Sequence, residues 1–380
     1  MSWGDPCRTG TAFDFRTDAI TTPSIRQLAA ITRATLNDDV FGEDASTTLL
    51  EQHVATICGC DAAAFVMSGT MANQLSLAAL TSMSRSRPCA VLADSSAHVV
   101  NFEAGGLSNL SGAAVQPVQP SNGLYLRAED IEKHAKLGDN MPWEVCPTAV
   151  VSLENTAHGN LIPLRELRGI RDWTAQAGIL VHIDGARVWD AVAAGGGSLR
   201  DIAACSDAMT LSFAKGIGAP IGAAVVGSSE VIRRVKRLRQ SIGGGVRKAG
   251  VLAAAAMEAV LENFGPGDVD VCRVIQGGHS AAAEVSNMWT ARGGKLLRPT
   301  ETNMVWLDLA AAGVAAETVS DMASRRGVLL AAPRVVLHHQ ICADALVSLG
   351  QVFDDILAGG VAAVDAADLG VRSKGCVQAM

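Results

Sequence analysis

The sequence predicts an α/β fold: a large domain with a mostly parallel central sheet flanked by helices, then a smaller C-terminal α+β domain. Three observations carry this. Short, continuous apolar runs alternate with helical stretches through the first two thirds of the chain. Such runs suit strands buried on both faces. After roughly residue 270 the alternation gives way to helices interleaved with shorter extended runs. The third is length, since 380 residues exceed one ordinary domain of about 150.

In chain order, the strand-like runs are Ala63–Met67, Ala90–Leu92, Ala149–Leu153, Ile179–Ile183, Met209–Phe213 and Ala223–Val226. Helical patterns such as Met71–Leu80, Leu164–Gln176 and Glu230–Gln240 fall between and after them. Gly265-Pro266-Gly267 marks a join. Beyond it come a helix near Ala281–Arg292, an extended run Asn303–Leu309, a helix Ala316–Arg325, runs at Val328–Leu330 and Val335–His338, and a last helix Ala343–Leu357. The tail after Gly359 has few anchoring residues and is expected to fray.

Composition narrows the function classes. Hydrophobic residues are 49% and charged residues 18%, so the chain folds rather than staying disordered. A net charge of −7 disfavours nucleic acid as the main partner. The basic stretch Arg233, Arg234, Lys236, Arg237, Arg239 then reads as a solvated or subunit-facing helix side. Nine scattered cysteines, with no C-x-x-C, argue against a disulfide framework or a zinc site of the usual spacing, and for a reducing, cytoplasmic compartment. Cys58 and Cys60 read as small buried hydrophobes, and His338 and His339 as rim residues rather than metal ligands. The most apolar helical run, Val251–Leu261, contains Glu258 and is far short of the roughly 20 residues a membrane span needs. No secretory signal opens the chain.

Ligands of parallel sheets bind beyond the carboxyl ends of the strands, so the residues after each apolar run are the candidates. Ser68-Gly69-Thr70 feeds a helix and offers free N–H groups to a phosphate; an ordinary helix N-cap is the other reading. His182 and Asp184 share one face of their strand, and a buried acid there needs a positive partner. That partner is either Arg187 or the ring nitrogen of a cofactor such as pyridoxal phosphate (PLP). Lys215 follows Met209–Phe213, where burial would make its amine a usable nucleophile; a solvated strand-end lysine is the other reading. The glycines 216, 218 and 222 miss the dinucleotide spacing, and Pro220 intrudes. His98, after Ala90–Leu92, is either a stacking partner or base, or simply a hydrogen-bonded histidine. Together, a phosphate turn, an acid, a strand-end lysine and a histidine form a PLP constellation.

These residues carry a resemblance. Asp14–Asp18, Asn37–Asp44, Ser68–Gln74, Leu153–Thr156, His182–Arg187, Ser212–Pro220 and Gly243–Gly250 together are similar to the low-specificity L-threonine aldolase family, which includes some alanine racemases. The match runs in order from residue 14 to about 250, and weakens to Thr302–Met304 and Arg334–His338 beyond. It implies the PLP fold type I, with residues 1–20 contributing to the active site, 21–265 as the large PLP-binding domain and 266–380 as the small domain.

It also implies roles. Lys215 would carry PLP, Asp184 would face its ring nitrogen, Ser68, Gly69 and Thr70 would hold its phosphate, and His98 would stack on its ring. Arg187 would serve both cofactor and substrate carboxylate, which Thr17 and Arg334 would also hold. Glu103 would reach the reacting groups, and Arg247 the phosphate of a neighbouring subunit's cofactor, implying a dimer at least and usually a tetramer. Where many members read Glu-Asn-Thr-His, this chain has Ala157, with His158 one position late. The implied reaction is cleavage of L-threonine or L-allo-threonine to glycine and an aldehyde; alanine racemisation is the alternative.

Overall fold

The computed structural model describes residues 10–84, 88–137, 142–265 and 273–358. The expected join at Pro266-Gly267 and the tail after Gly359 lie outside the described residues. The chain divides into two compact units, one with Thr21–Gln276 and one with Pro6–Ile20 and Gly277–Met380.

The first unit runs α1 (Ile25–Thr32), α2 (Ala45–Cys58), β1 (Ala62–Val66), α3 (Gly69–Met83), β2 (Ala90–Asp94), α4 (His98–Asn101), α5 (Gly106–Ser111), β3 (Ala114–Val118) and α6 (Ala128–His134). It continues with β4 (Thr148–Glu154), α7 (Leu164–Ala177), β5 (Leu180–Gly185), α8 (Val188–Ala193), α9 (Leu199–Ala203), β6 (Ala208–Ser212), β7 (Ala223–Gly227), α10 (Ser229–Ser241) and α11 (Gly250–Phe264). The strands form one seven-stranded sheet in the order β1-β7-β6-β5-β4-β2-β3. β3, β2, β4, β5 and β6 are mutually parallel, and β7 is antiparallel to β6 and β1.

Alternate residues of each strand feed two cores. Phe65, Leu153, Val181, Ile183 and Leu211 pack on one face with α2, α7, α8, α9 and α11. Val66, Val91, Val150, Ala208 and Val225 pack on the other with α3, α5 and α10. Both faces are covered, so the strands read as unbroken apolar runs. β3 was not among those runs. Its sequence Ala-Val-Gln-Pro-Val carries Pro117, which a sheet tolerates at an edge, and β3 is an edge strand.

Arg239 departs from the solvated reading of its helix. It is buried, donating from Nη1 to the Phe65 carbonyl at 2.6 Å and pairing through Nη2 with Asp39 at 3.0 Å. Cys58 is buried as expected and Cys60 is half-buried; desolvation raises both thiols, Cys60 to about 11.

In the second unit, β8 (Met304–Trp306) and β9 (Arg334–Val336) pair antiparallel. α12 (Arg273–Ala291) enters it from Gly277, and α13 (Ala316–Arg325) and α14 (Ala343–Ala358) complete it. Phe15 lies in its core with Trp289, Leu337 and Phe353. Backbone bonds stitch the N-terminal segment in: Phe15 N–H to Leu329 O at 2.8 Å, and Val336 N–H to Phe15 O at 2.8 Å. His338 is buried here, not at a rim, because its Nε2 meets the Asp14 carbonyl at 3.0 Å; His339 is exposed.

Candidate active site

β1, β2, β4, β5 and β6 point the same way, so their carboxyl ends share one edge of the sheet. That edge carries Ser68 after β1, His98 after β2, Glu154 at the end of β4, Asp184 near the end of β5 and Lys215 after β6.

Ser68 caps α3, its Oγ accepting from Met71 N–H at 3.1 Å. The N-cap reading therefore holds, and it leaves the phosphate reading intact: a cap satisfies only part of the first turn's N–H groups. A Cβ added at Gly69 would meet nothing within 4 Å, so open space lies against this helix end, which has the polarity an anion needs.

Asp184 is buried. Its Oδ1 accepts from Ala186 N–H at 2.9 Å and its Oδ2 from Asn73 Nδ2 at 2.7 Å. Its position depends on Gly185, where a Cβ would lie 2.2 Å from the Thr210 carbonyl of the neighbouring strand. His182, on the same face of β5, is not part of the cluster's chemistry. It is fully buried against Ser152 Oγ at 2.9 Å, and desolvation lowers its pKa to about 4, so it stays neutral.

His98 opens α4. Its Nδ1 is 2.9 Å from Glu103 Oε1, and its backbone N–H donates to Glu154 Oε2 at 2.9 Å. The Glu103 hydrogen bond, with the nearby Asp184 charge, outweighs desolvation and Lys215, and raises the imidazole pKa. Glu103 also accepts from Asn73 Nδ2 at 2.9 Å, while its buried Oε2 has no partner among the described residues. Glu154 lies opposite Asp184 in the β4–β5 register. Desolvation, then the Asp184 charge, push its carboxyl up to about 7 against the pull of His98 and Lys215. Lys215 is half-buried in the turn after β6, with its carbonyl accepting from Thr21 Oγ1 at 2.9 Å and from Gly218 N–H at 2.9 Å.

His158 sits in the turn after β4 with φ 51°, its Nε2 2.9 Å from Ser96 Oγ. With Asp94, Ser96, Tyr125 and Glu154 it lines a cavity with room for about one water, ≈ 10 Å³. Arg187 is half-buried directly after β5 and heads α8. Arg247 is paired with Asp38 and lies over the Phe41 ring. In the second unit, Arg334 Nη2 donates to the Arg16 carbonyl at 3.0 Å, beside Thr17, whose Oγ1 accepts from Ala19 N–H at 3.1 Å.

The residues fit PLP. The cluster of Asp184, Glu103 and His98 has two buried acids and one imidazole, so it calls for a further cation, and a protonated ring nitrogen supplies one. An orphaned carboxylate oxygen, an open helix N-terminus and a strand-end lysine complete the donor set. Three residues were given no role from sequence: Asn73, Thr210 and Glu154. Asn73 lay within the matched motif and Glu154 at a strand end, but their partners are 30 or more positions away.

A family model described as "Beta-eliminating lyase" matches residues 14–312. The chain is 48% identical to the alanine racemase TOXG of Cochliobolus carbonum, over 94% of this chain and 90% of that protein. It is 44% identical to the aldolase vrtJ of Penicillium aethiopicum, over 92% and 87%. It is 37% identical to the low-specificity L-threonine aldolase of Eremothecium gossypii, over 90% and 87%. In structure it resembles the Leishmania major threonine aldolase with a TM-score of 0.74 at 18% identity, covering 91% of this chain and 99% of that one, a likeness of fold.

Proposed function

Because the chain belongs to the beta-eliminating lyase family, we propose that it is a PLP-dependent aldolase cleaving L-threonine, L-allo-threonine and related β-hydroxy-amino acids to glycine and an aldehyde. The observation that carries this is the single sheet edge that gathers Lys215, Asp184, His98 and the open α3 N-terminus.

PLP, when bound, supplies an electron sink for the charge left on Cα as the Cα–Cβ bond opens. Lys215 would hold it, Ser68, Gly69 and Thr70 would hold its phosphate, Asp184 its ring nitrogen, and His98 its ring face. Arg187 takes the substrate carboxylate, which orients the bond to be broken. The β-hydroxyl proton goes to Nε2 of His98. Glu103 occupies Nδ1 of that ring, fixing its orientation and strengthening it as a base. His158 faces the β-substituent from the cavity it shares with Glu154.

A second reading, amino-acid racemisation, is favoured by two observations: the relative at 48% identity is an alanine racemase, and Ala157 stands where the family pattern places its histidine. There the bond broken is Cα–H, and a base is needed on each face.

We also place the enzyme in the cytoplasm as a homo-oligomer, at least a dimer. Among the described residues no disulfide joins the six cysteines, the pattern of a reducing compartment. None of the described helices is long and apolar enough to cross a membrane. Leu36 and Phe41 are exposed beside the Arg247–Asp38 pair, which supports a subunit contact there.

The test is acetaldehyde release from L-threonine and L-allo-threonine by PLP-loaded protein, coupled to alcohol dehydrogenase. Release at turnover rates is expected. No release, with L-alanine converted to D-alanine instead, would replace the aldolase reading by the racemase one.

A further inference from the structure

Asn73 lies one turn into α3 and is buried, as are Asp184, Glu103 and Thr210. Its Nδ2 donates to Asp184 Oδ2 at 2.7 Å and to Glu103 Oε1 at 2.9 Å. Its Oδ1 accepts from Thr210 Oγ1 at 3.0 Å, and that hydroxyl accepts from Gly185 N–H at 3.2 Å. The direction of every bond is forced. Ionised acids only accept, so the amide nitrogen must face them and its oxygen must face Thr210. The Thr210 hydroxyl, already accepting from Gly185, gives its one proton to Asn73.

The arrangement answers an electrostatic problem. An acid oxygen of Asp184, one of Glu103 and a ring nitrogen of His98 lie within 4.8 Å of one another. Two carboxylates so close and out of water repel, and without fixed donors one of them takes up a proton. Asn73 divides its two N–H groups between them. Resting on the PLP reading, we infer that Asn73, oriented by Thr210, is a positioning residue that holds Asp184 and Glu103 as one jointly anchored, ionised pair. The acid that faces the ring nitrogen and the acid that grips His98 then act as a unit.

His98 reports on this unit, because the charged groups around it are Glu103, Asp184, Glu154 and Lys215. Losing the Asn73 donors leaves the negative charge beside the ring less satisfied, so the His98 imidazole keeps its proton to higher pH.

The experiment compares wild type with Asn73→Ala, Thr210→Val and Thr210→Ser. It follows the His98 ring by NMR titration of the PLP-free chain, and PLP affinity by visible absorbance. For Asn73→Ala the expected results are an upward shift of the His98 titration by about one unit and PLP binding weaker by about tenfold or more. Thr210→Val moves both in the same direction by less, and Thr210→Ser restores them. Wild-type titration and affinity in both Asn73→Ala and Thr210→Val would overturn the inference, even with a lowered melting temperature. If Asn73→Ala does not fold, Thr210→Val decides by the same two readouts. A wild-type chain that binds no PLP sinks the cofactor reading instead, and the PLP-free titration still decides the role of Asn73.

Discussion

Glu103→Gln removes one negative charge from the cluster while keeping the shape of the side chain. Glu103 is fully buried at its side chain, and its Oε1 is 2.9 Å from His98 Nδ1. A hydrogen bond to a charged group contributes about 1.5–3 kcal/mol. The His98 side chain is 40% exposed, so solvent screening reduces this to about 1 kcal/mol. The imidazole pKa is raised in the folded chain. Its contribution is therefore fully present below the unfolded value of about 6.5, and is lost as pH rises through the folded value. Wild type should exceed Glu103→Gln in stability by about 1 kcal/mol more at pH 5.5 than at pH 9, a difference of about 2–4 °C in melting temperature. A constant offset is expected beneath this, because the new amide nitrogen replaces an Oε2 that has no partner among the described residues. Thermal melts of the PLP-free chain across that pH range read both parts. A gap between the two proteins that does not change with pH would refute the ion-pair account of His98.

Three other outcomes are expected. Lys215→Ala should abolish both the visible absorbance of the PLP-loaded protein and turnover; full activity in this variant would remove Lys215 from its assigned role. Glu154 titrates near 7 instead of 4.5 in the folded chain, so its carboxyl costs stability as pH rises from about 4.5 to about 7. Glu154→Gln should flatten that decline in urea melts, and an unchanged decline would place the titration elsewhere. Arg239→Leu should destabilise the first unit by about 3–5 kcal/mol, because Asp39 is left as a buried, unpaired charge. A loss under about 1 kcal/mol by denaturant titration would show that water reaches Asp39.

Strand positions were legible because both faces of the sheet are covered: Ile179–Ile183 and Met209–Phe213 cannot avoid reading as apolar runs. The places of Lys215, Asp184 and the Ser68 turn were legible because parallel strands deliver their carboxyl ends to one edge, so polar groups close or follow each run. β3 was not, since Pro117 and the half-buried Val115 and Gln116 give an edge strand no apolar signature. Arg239 was read as one of a basic set by composition, and only the fold shows that its fork ends inside, on Asp39 and the Phe65 carbonyl.

The sequence by itself determined the alternation of strands and helices, the sheet-edge residues that suit PLP, and the family pattern with its displaced histidine at His158. Tertiary structure alone decided which of those groups share protons. Asn73, Glu103, Asp184 and Thr210 are separated by 30 to 137 positions in their hydrogen-bonded pairs, and local periodicity carries no trace of such a link. The physical reason is that periodicity records which face of an element is buried. The direction of a hydrogen bond is fixed only when a donor on one element and acceptors on two others are brought within 3 Å, as they are at Asn73.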